Sequence, residues 1–144
     1  MSLLTARLAE PGYRLISLVG PGGIGKTRLA VEAARNNAHR FEDGVFFVPL
    51  EGVASIHDVP AAIAEAIGVP FAGGEPPARQ IVRLLHNKQA LLIMDNLEHL
   101  MGSVPLLLEV VANGPRVLLL VTSRERLNVQ IEDLFRLKGL PYPM

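Results

Sequence analysis

Apolar residues along this 144-residue chain gather in short unbroken runs, separated by longer stretches with helical spacing. The runs Leu15-Ile16-Ser17-Leu18-Val19, Val45-Phe46-Phe47-Val48-Pro49-Leu50, Ala90-Leu91-Leu92-Ile93-Met94 and Val117-Leu118-Leu119-Leu120-Val121 read as strands. Their lack of polar alternation predicts burial on both sheet faces. Residues 27 to about 39 read as a helix, with Leu29, Ala30, Ala33 and Ala34 along one stripe. Ser55 or Asp58 caps a second helix carrying Val59, Ile63, Ala66 and Ile67, and Gly68 ends it. Residues 69–77 form a Gly/Pro-rich loop. Pro77 or Ala78 then opens a helix with Ile81, Val82, Leu84 and Leu85, closed by Asn87-Lys88. Pro105 suits the first turn of a helix reaching about Ala112, before Asn113-Gly114-Pro115. Leu134-Phe135-Arg136-Leu137 is a short fifth strand. Strands alternating with helices predict an α/β fold, with right-handed crossovers and a parallel sheet covered on both faces. The first element in this reading is the strand beginning at Leu15.

The segment after that first strand names a ligand class. Residues 20–27 read Gly20-Pro21-Gly22-Gly23-Ile24-Gly25-Lys26-Thr27, the G-x-x-x-x-G-K-[ST] phosphate loop set between a strand and a helix. Glycines here free the backbone to turn successive N–H groups inward, and the helix start adds its positive dipole end. Pro21 stiffens the entry to the loop. Lys26 is expected to reach the β- and γ-phosphates and the Thr27 hydroxyl to ligate Mg2+. The candidate cofactor-binding set is Gly20, Pro21, Gly22, Gly23, Ile24, Gly25, Lys26, Thr27 and the adjoining Arg28, although an arginine there is often simply solvated. A glycine-rich turn that binds nothing is the plain alternative.

Two more strand ends carry polar groups. The third strand runs into Asp95, and a strand delivers such an acid to the carboxyl edge of the sheet, where open α/β sheets bind ligands. Asp95 is therefore a metal candidate opposite Thr27, the alternative being an ordinary turn cap. Glu98 is a candidate general base, or a capping or solvated residue. Asn96 could orient water only by hydrogen bonds. The fourth strand ends in Thr122-Ser123-Arg124. Arg124 offers a fixed fork of donors for a γ-phosphate, or pairs on the surface with Glu125 or Asp133. The candidate catalytic set is Lys26, Asp95, Glu98 and Arg124, and the metal set is Thr27 and Asp95. The four histidines show no metal-ligand spacing, and His99 reads as a capping or solvated residue.

Composition narrows the class further. Lys+Arg and Asp+Glu number 14 each, so the zero net charge gives no basic footprint for nucleic acid. The absence of cysteine removes disulfides and thiolate metal sites. No apolar run approaches the ~18 residues of a membrane span, and the start shows no secretory pattern, so a cytoplasmic location is expected. Hydrophobic residues at 49% with aromatics at 5% predict an aliphatic core. A mean hydropathy of +0.31, the short lead into the first strand and the extended tail Leu140-Pro141-Tyr142-Pro143-Met144 read as one nucleotide-binding domain over 1–144, cut from a larger protein.

Three segments taken together carry a family resemblance. They are Leu18-Val19-Gly20-Pro21-Gly22-Gly23-Ile24-Gly25-Lys26-Thr27-Arg28-Leu29-Ala30, Leu91-Leu92-Ile93-Met94-Asp95-Asn96-Leu97-Glu98-His99-Leu100, and Val121-Thr122-Ser123-Arg124-Glu125-Arg126-Leu127. Over residues 14–141 the chain resembles the nucleotide-binding domain of the STAND ATPases, the NB-ARC-like signalling class. Within that class it is most similar to the ATPase module of large bacterial transcriptional regulators of the LuxR and SARP types. The resemblance implies a three-layer P-loop NTPase core with a five-stranded parallel sheet in the order 5-1-4-3-2. It implies Lys26 and Thr27 as the Walker A pair, Asp95 as the Walker B acid and Arg124 as the sensor arginine. It also implies ATP/ADP and Mg2+ as cofactors, helical and winged-helix domains as partners, and a switch whose ATP form self-associates.

The chain departs from that pattern in two places. Asn96 stands where many relatives have a second acid, which implies slow or absent hydrolysis. The family's adenine-contacting segment ahead of the first strand is missing. The competing readings are a P-loop kinase or phosphotransferase and a non-hydrolysing binding module. A kinase needs an arginine-bearing lid, and residues 100–144 offer no such segment.

Overall fold

A computed structural model describes residues 2–22 and 25–137. Gly23 and Ile24 of the phosphate loop and the tail at 140–144 lie outside the described residues. Five strands form one parallel sheet: β1 (Leu15–Val19), β2 (Gly44–Pro49), β3 (Ala90–Asp95), β4 (Val117–Ser123) and β5 (Glu132–Arg136). Their order is β2-β3-β4-β1-β5, the expected 5-1-4-3-2 read from the other side. β4 pairs with β1 on one side and β3 on the other, so the strand ends carrying residues 19–20, 95 and 122–123 share one edge.

Alternation along the strands sorts side chains into two cores. Leu15, Leu92, Met94, Leu119 and Val121 face one side. Ile16, Leu18, Leu91, Ile93, Leu118 and Leu120 face the other. Helices α3 (Val59–Ile67), α4 (Pro77–Leu85) and α5 (Val104–Asn113) cover the first face through Ile63, Ile81, Leu85, Leu107 and Val110. Helix α2 (Lys26–Asn36) covers the second with Ala30, Ala33 and Ala34. With helices on both sides, β1, β3 and β4 are buried throughout, as expected, but β2 is only partly buried, with Phe47 exposed, because it is an edge strand.

Differences from the predicted elements have local causes. β4 continues through Thr122 and Ser123 because they pair with Leu18 and Val19 of β1. β5 starts earlier, at Glu132, where a half-buried edge strand tolerates polar residues. α2 stops at Asn36, and Ala38–Arg40 forms a separate 3-10 turn. The Asn37 amide nitrogen donates to Ala33 O at 2.9 Å, taking up a carbonyl at the end of α2. Ser55 caps not the second helix but a 3-10 turn at Ile56–Asp58, accepting from the His57 N–H at 3.2 Å. Gly68 does end α3, in a left-handed conformation.

The element absent from the sequence reading is α1 (Leu3–Ala9). Ser2 caps it by accepting from Thr5 N–H at 3.0 Å. At seven residues it has little helical stability of its own. Tertiary contacts hold it. Leu4 and Leu8 are buried beside the α2 alanines. Asn37 donates to Thr5 O at 3.0 Å and Arg40 to Leu8 O at 3.1 Å. Arg7 lies 2.6 Å from Asp133 of β5 and over the rings of Tyr13 and Phe135. The hydrogen bond that Arg7 donates to the Asp133 carboxylate holds the guanidinium above its ordinary pKa. Residues ahead of β1, to which the sequence reading assigned no element, thus form a docked helix.

Candidate functional site

A cavity of about 420 Å³ opens at the carboxyl edge of the sheet. It is lined by Gly22, Gly25, Lys26, Thr27, Glu51, Asn96, Glu98, His99 and Arg124. Several chain segments meet there because β1, β3, β4 and β2 all point their carboxyl ends the same way.

The loop after β1 is anchored at both ends. Gly20 N–H donates to Ser123 O at 3.2 Å, tying the loop's entry to β4. Gly25 precedes α2 with φ +83°, a conformation that a side chain would strain. Lys26 begins the helix and is buried. Its Nζ donates to Gly20 O at 2.9 Å and Pro21 O at 3.0 Å, so the ammonium rests on the carbonyls of its own loop. Arg28, two residues further along the helix, is exposed and does not line the cavity.

Asp95 is the hub of the site. It is buried, and its Oδ1 accepts from Thr27 Oγ1 at 2.8 Å and from Thr122 Oγ1 at 2.7 Å. The Thr122 hydroxyl in turn accepts from Asn96 N–H at 2.9 Å. Asn96 takes a left-handed φ of 65°, which asparagine tolerates better than most residues. That turn carries the chain out of β3 into a 3-10 turn at Leu97–His99.

The opposite wall is looser. Glu98 Oε1 accepts from Arg124 N–H at 3.1 Å, linking the segments after β3 and β4. The Arg124 guanidinium lies against the loop: a Cβ added to Gly22 would sit 2.7 Å from Arg124 Nη2. Glycine at position 22 is what lets the arginine lie there. His99 Nε2 is 3.0 Å from Val53 O, an acceptor, so that nitrogen carries a hydrogen. Glu51 stands at the end of β2, exposed, and belongs to none of the ion pairs among the described residues.

The structure therefore brings together Gly22, Gly25, Lys26, Thr27, Asp95, Glu98 and Arg124 from the predicted set. Gly20 and Pro21 take part through their carbonyls. Glu51 was not singled out from the sequence, and Thr122 was named only as part of the polar end of the fourth strand, without a role of its own. Each follows an apolar strand at the carboxyl edge, and that position alone could have flagged them.

Thr27 and Asp95 suit a magnesium ion. Two neighbouring ligands of octahedral Mg2+, at roughly 2.0–2.1 Å each, stand about 2.9 Å apart. The Thr27 and Asp95 oxygens are 2.8 Å apart. Among the described residues no three His, Asp or Glu side chains cluster as a metal site, so such an ion would draw its remaining ligands from water or phosphate.

The fold and the loop define a P-loop NTPase core. Solved structures agree on the fold. The ORC2 protein of Aeropyrum pernix, solved as ADPNP-ADP complexes, superposes with a TM-score of 0.62 at 18% identity, covering 85% of this chain and 39% of that one. A CDC6P from Pyrobaculum aerophilum gives a TM-score of 0.64 at 16% identity, covering 85% and 36%. The family is more particular: the NB-ARC domain model matches residues 1–131, and the chain belongs to the NB-ARC family. A candidate HTH-type transcriptional regulator of Mycobacterium tuberculosis is 34% identical over 128 residues, 88% of this chain. The match spans only 14% of that relative's length. No helix among the described residues is long and apolar enough to cross a membrane.

Proposed function

We propose that this chain is an ATP/ADP-binding, Mg2+-dependent switch module of a larger signalling or transcriptional regulatory protein, with slow hydrolysis. The observation that carries the reading is that Lys26 and Thr27 line one cavity behind a glycine loop, with the buried Asp95 carboxylate accepting from the Thr27 hydroxyl at 2.8 Å. Cation, hydroxyl and acid meet there at the start of a helix, the combination that a magnesium-bound triphosphate requires.

Each residue has a distinct part. Lys26 leaves the Gly20 and Pro21 carbonyls for the β- and γ-phosphate oxygens, exchanging neutral acceptors for charged ones. Thr27 and Asp95 hold the magnesium, which neutralises phosphate charge when bound. Arg124, already beside Gly22, reads the γ-phosphate and so separates ATP from ADP. Asn96 supplies no proton acceptor, which keeps turnover slow. The mycobacterial regulator supports a place in a larger protein. There, as the family resemblance implies, helical and winged-helix domains would complete the switch and ATP would permit self-association.

Calorimetry tests the core of this reading. Lys26→Ala should weaken ATP binding at least tenfold, since each charged hydrogen bond lost costs roughly 1.5–3 kcal/mol. Equal affinity in parent and variant would remove the assignment.

A further inference from the structure

We propose that Glu51 is the proton acceptor for the water that attacks a bound triphosphate, a catalytic role that rests on the nucleotide-binding reading above. Three carboxyl-edge acids are available: Asp95, Glu98 and Glu51. Asp95 is committed to Thr27 and Thr122 through Oδ1. Glu98 is tied to the Arg124 backbone. Asn96, immediately after Asp95, has an amide that cannot take a proton. Glu51 lines the same cavity and is free of ion pairs among the described residues.

Its position also fits the direction of attack. The phosphate loop follows β1, and β2 lies three strand spacings away across β4 and β3. At about 4.8 Å per spacing, the two strand ends are roughly 14 Å apart. The loop grips the β-phosphate side, so an in-line water must arrive from the side facing away from the loop. Glu51, just past the end of β2, lines the cavity at the sheet edge farthest from β1 on that side. The turn that carries Glu51 is pinned to the Asp95 segment: Leu50 N–H donates to Asp95 O at 3.0 Å, and Val53 O meets His99 Nε2 at 3.0 Å. Glu51 is thus exposed at its carboxylate but fixed at its backbone.

The step balances without a further reactant. The water oxygen forms a bond to the γ-phosphorus as the bond from that phosphorus to the β–γ bridging oxygen breaks. The electron pair of the broken bond stays on ADP, one water proton passes to the Glu51 carboxylate, and inorganic phosphate leaves. Glu51 then returns the proton to solvent.

The test is single-turnover hydrolysis of ATP with Mg2+ by the 144-residue chain, with ATP and ADP affinities from calorimetry. Glu51→Gln should slow phosphate release about 100-fold, the range for loss of a general base. Both dissociation constants should stay within about twofold, and the thermal midpoint should not move at this exposed position. Three results would overturn the proposal while leaving nucleotide binding intact. One is hydrolysis in Glu51→Gln within about threefold of the parent. Another is loss of hydrolysis in Glu98→Gln but not in Glu51→Gln, which hands the proton to Glu98. The third is a parent chain that binds ATP and releases no phosphate. A parent that binds neither nucleotide fails the underlying reading instead.

Discussion

On the loop side of the cavity, Lys26, Thr27, Asp95 and Thr122 are each hydrogen-bonded to the protein, and all but Thr27 are buried. On the far side, Glu51 and His99 are exposed, as is Arg124, whose guanidinium reaches back over Gly22. The first wall is organised before any ligand arrives, and its bonds must be exchanged rather than created. The exposed side chains of the second wall need no such exchange and can move on a backbone that is itself pinned. A binding function placed on a rigid wall and a sensing or chemical function placed on a loose one is how a single cavity can hold nucleotide in both states yet respond to one.

That contrast breaks most severely at Thr122. Thr122→Val keeps the volume but strands Asp95 Oδ1 of one donor and leaves Asn96 N–H without its acceptor. Lost partners in a buried site cost about 1–3 kcal/mol each. A lower urea midpoint is expected, with weaker Mg2+-dependent binding; an unchanged midpoint would mean the near wall is not pre-organised by this hydroxyl.

A smaller effect is expected on the far wall. Arg124→Ala should lower the preference for ATP over ADP several-fold, with ADP affinity and thermal stability little changed, because the side chain is exposed. Gly22→Ala sharpens the point, since its Cβ would displace the same guanidinium. The two changes made together should cost less than the sum of each alone. Additive losses in a double-mutant cycle would show that Gly22 and Arg124 act separately.

Ser17 carries the smallest expected effect. It is buried in β1 on the phosphate-loop strand, and its hydroxyl is the one buried side-chain polar atom without a hydrogen-bond partner among the described residues. Ser17→Ala should be neutral or stabilising by less than about 1 kcal/mol. A clear loss of stability in chemical denaturation would reveal a partner for that hydroxyl.

Much of this was legible in the order of residues. Apolar runs give β1 its full extent and place β3 and β4 within one or two residues, because a strand buried on both faces carries polar groups mainly at its end, as with Asp95 and Thr122-Ser123. The phosphate loop and Asp95 are legible because backbone freedom, a cation and an acid each demand particular residue types. What remained hidden depended on neighbours distant in the chain. Helix α1 is too short to announce itself and exists through Leu4, Leu8 and the Arg7–Asp133 pair, a contact spanning most of the chain.

The sequence by itself determined the strands, the alternation that makes them parallel, and the glycine-lysine-threonine loop that fits phosphate. Sheet order was implied by the family resemblance, but the bonds it produces were decided by the tertiary structure alone. Insertion of β4 between β1 and β3 puts the Thr122 hydroxyl 2.7 Å from Asp95 and the Arg124 guanidinium over Gly22. Placement of β2 at the edge brings Glu51 into the lining of the same cavity as the loop. The physical reason is that periodicity reports how a segment buries its own side chains. Which strand ends become neighbours is fixed only when the helices on both faces close the sheet.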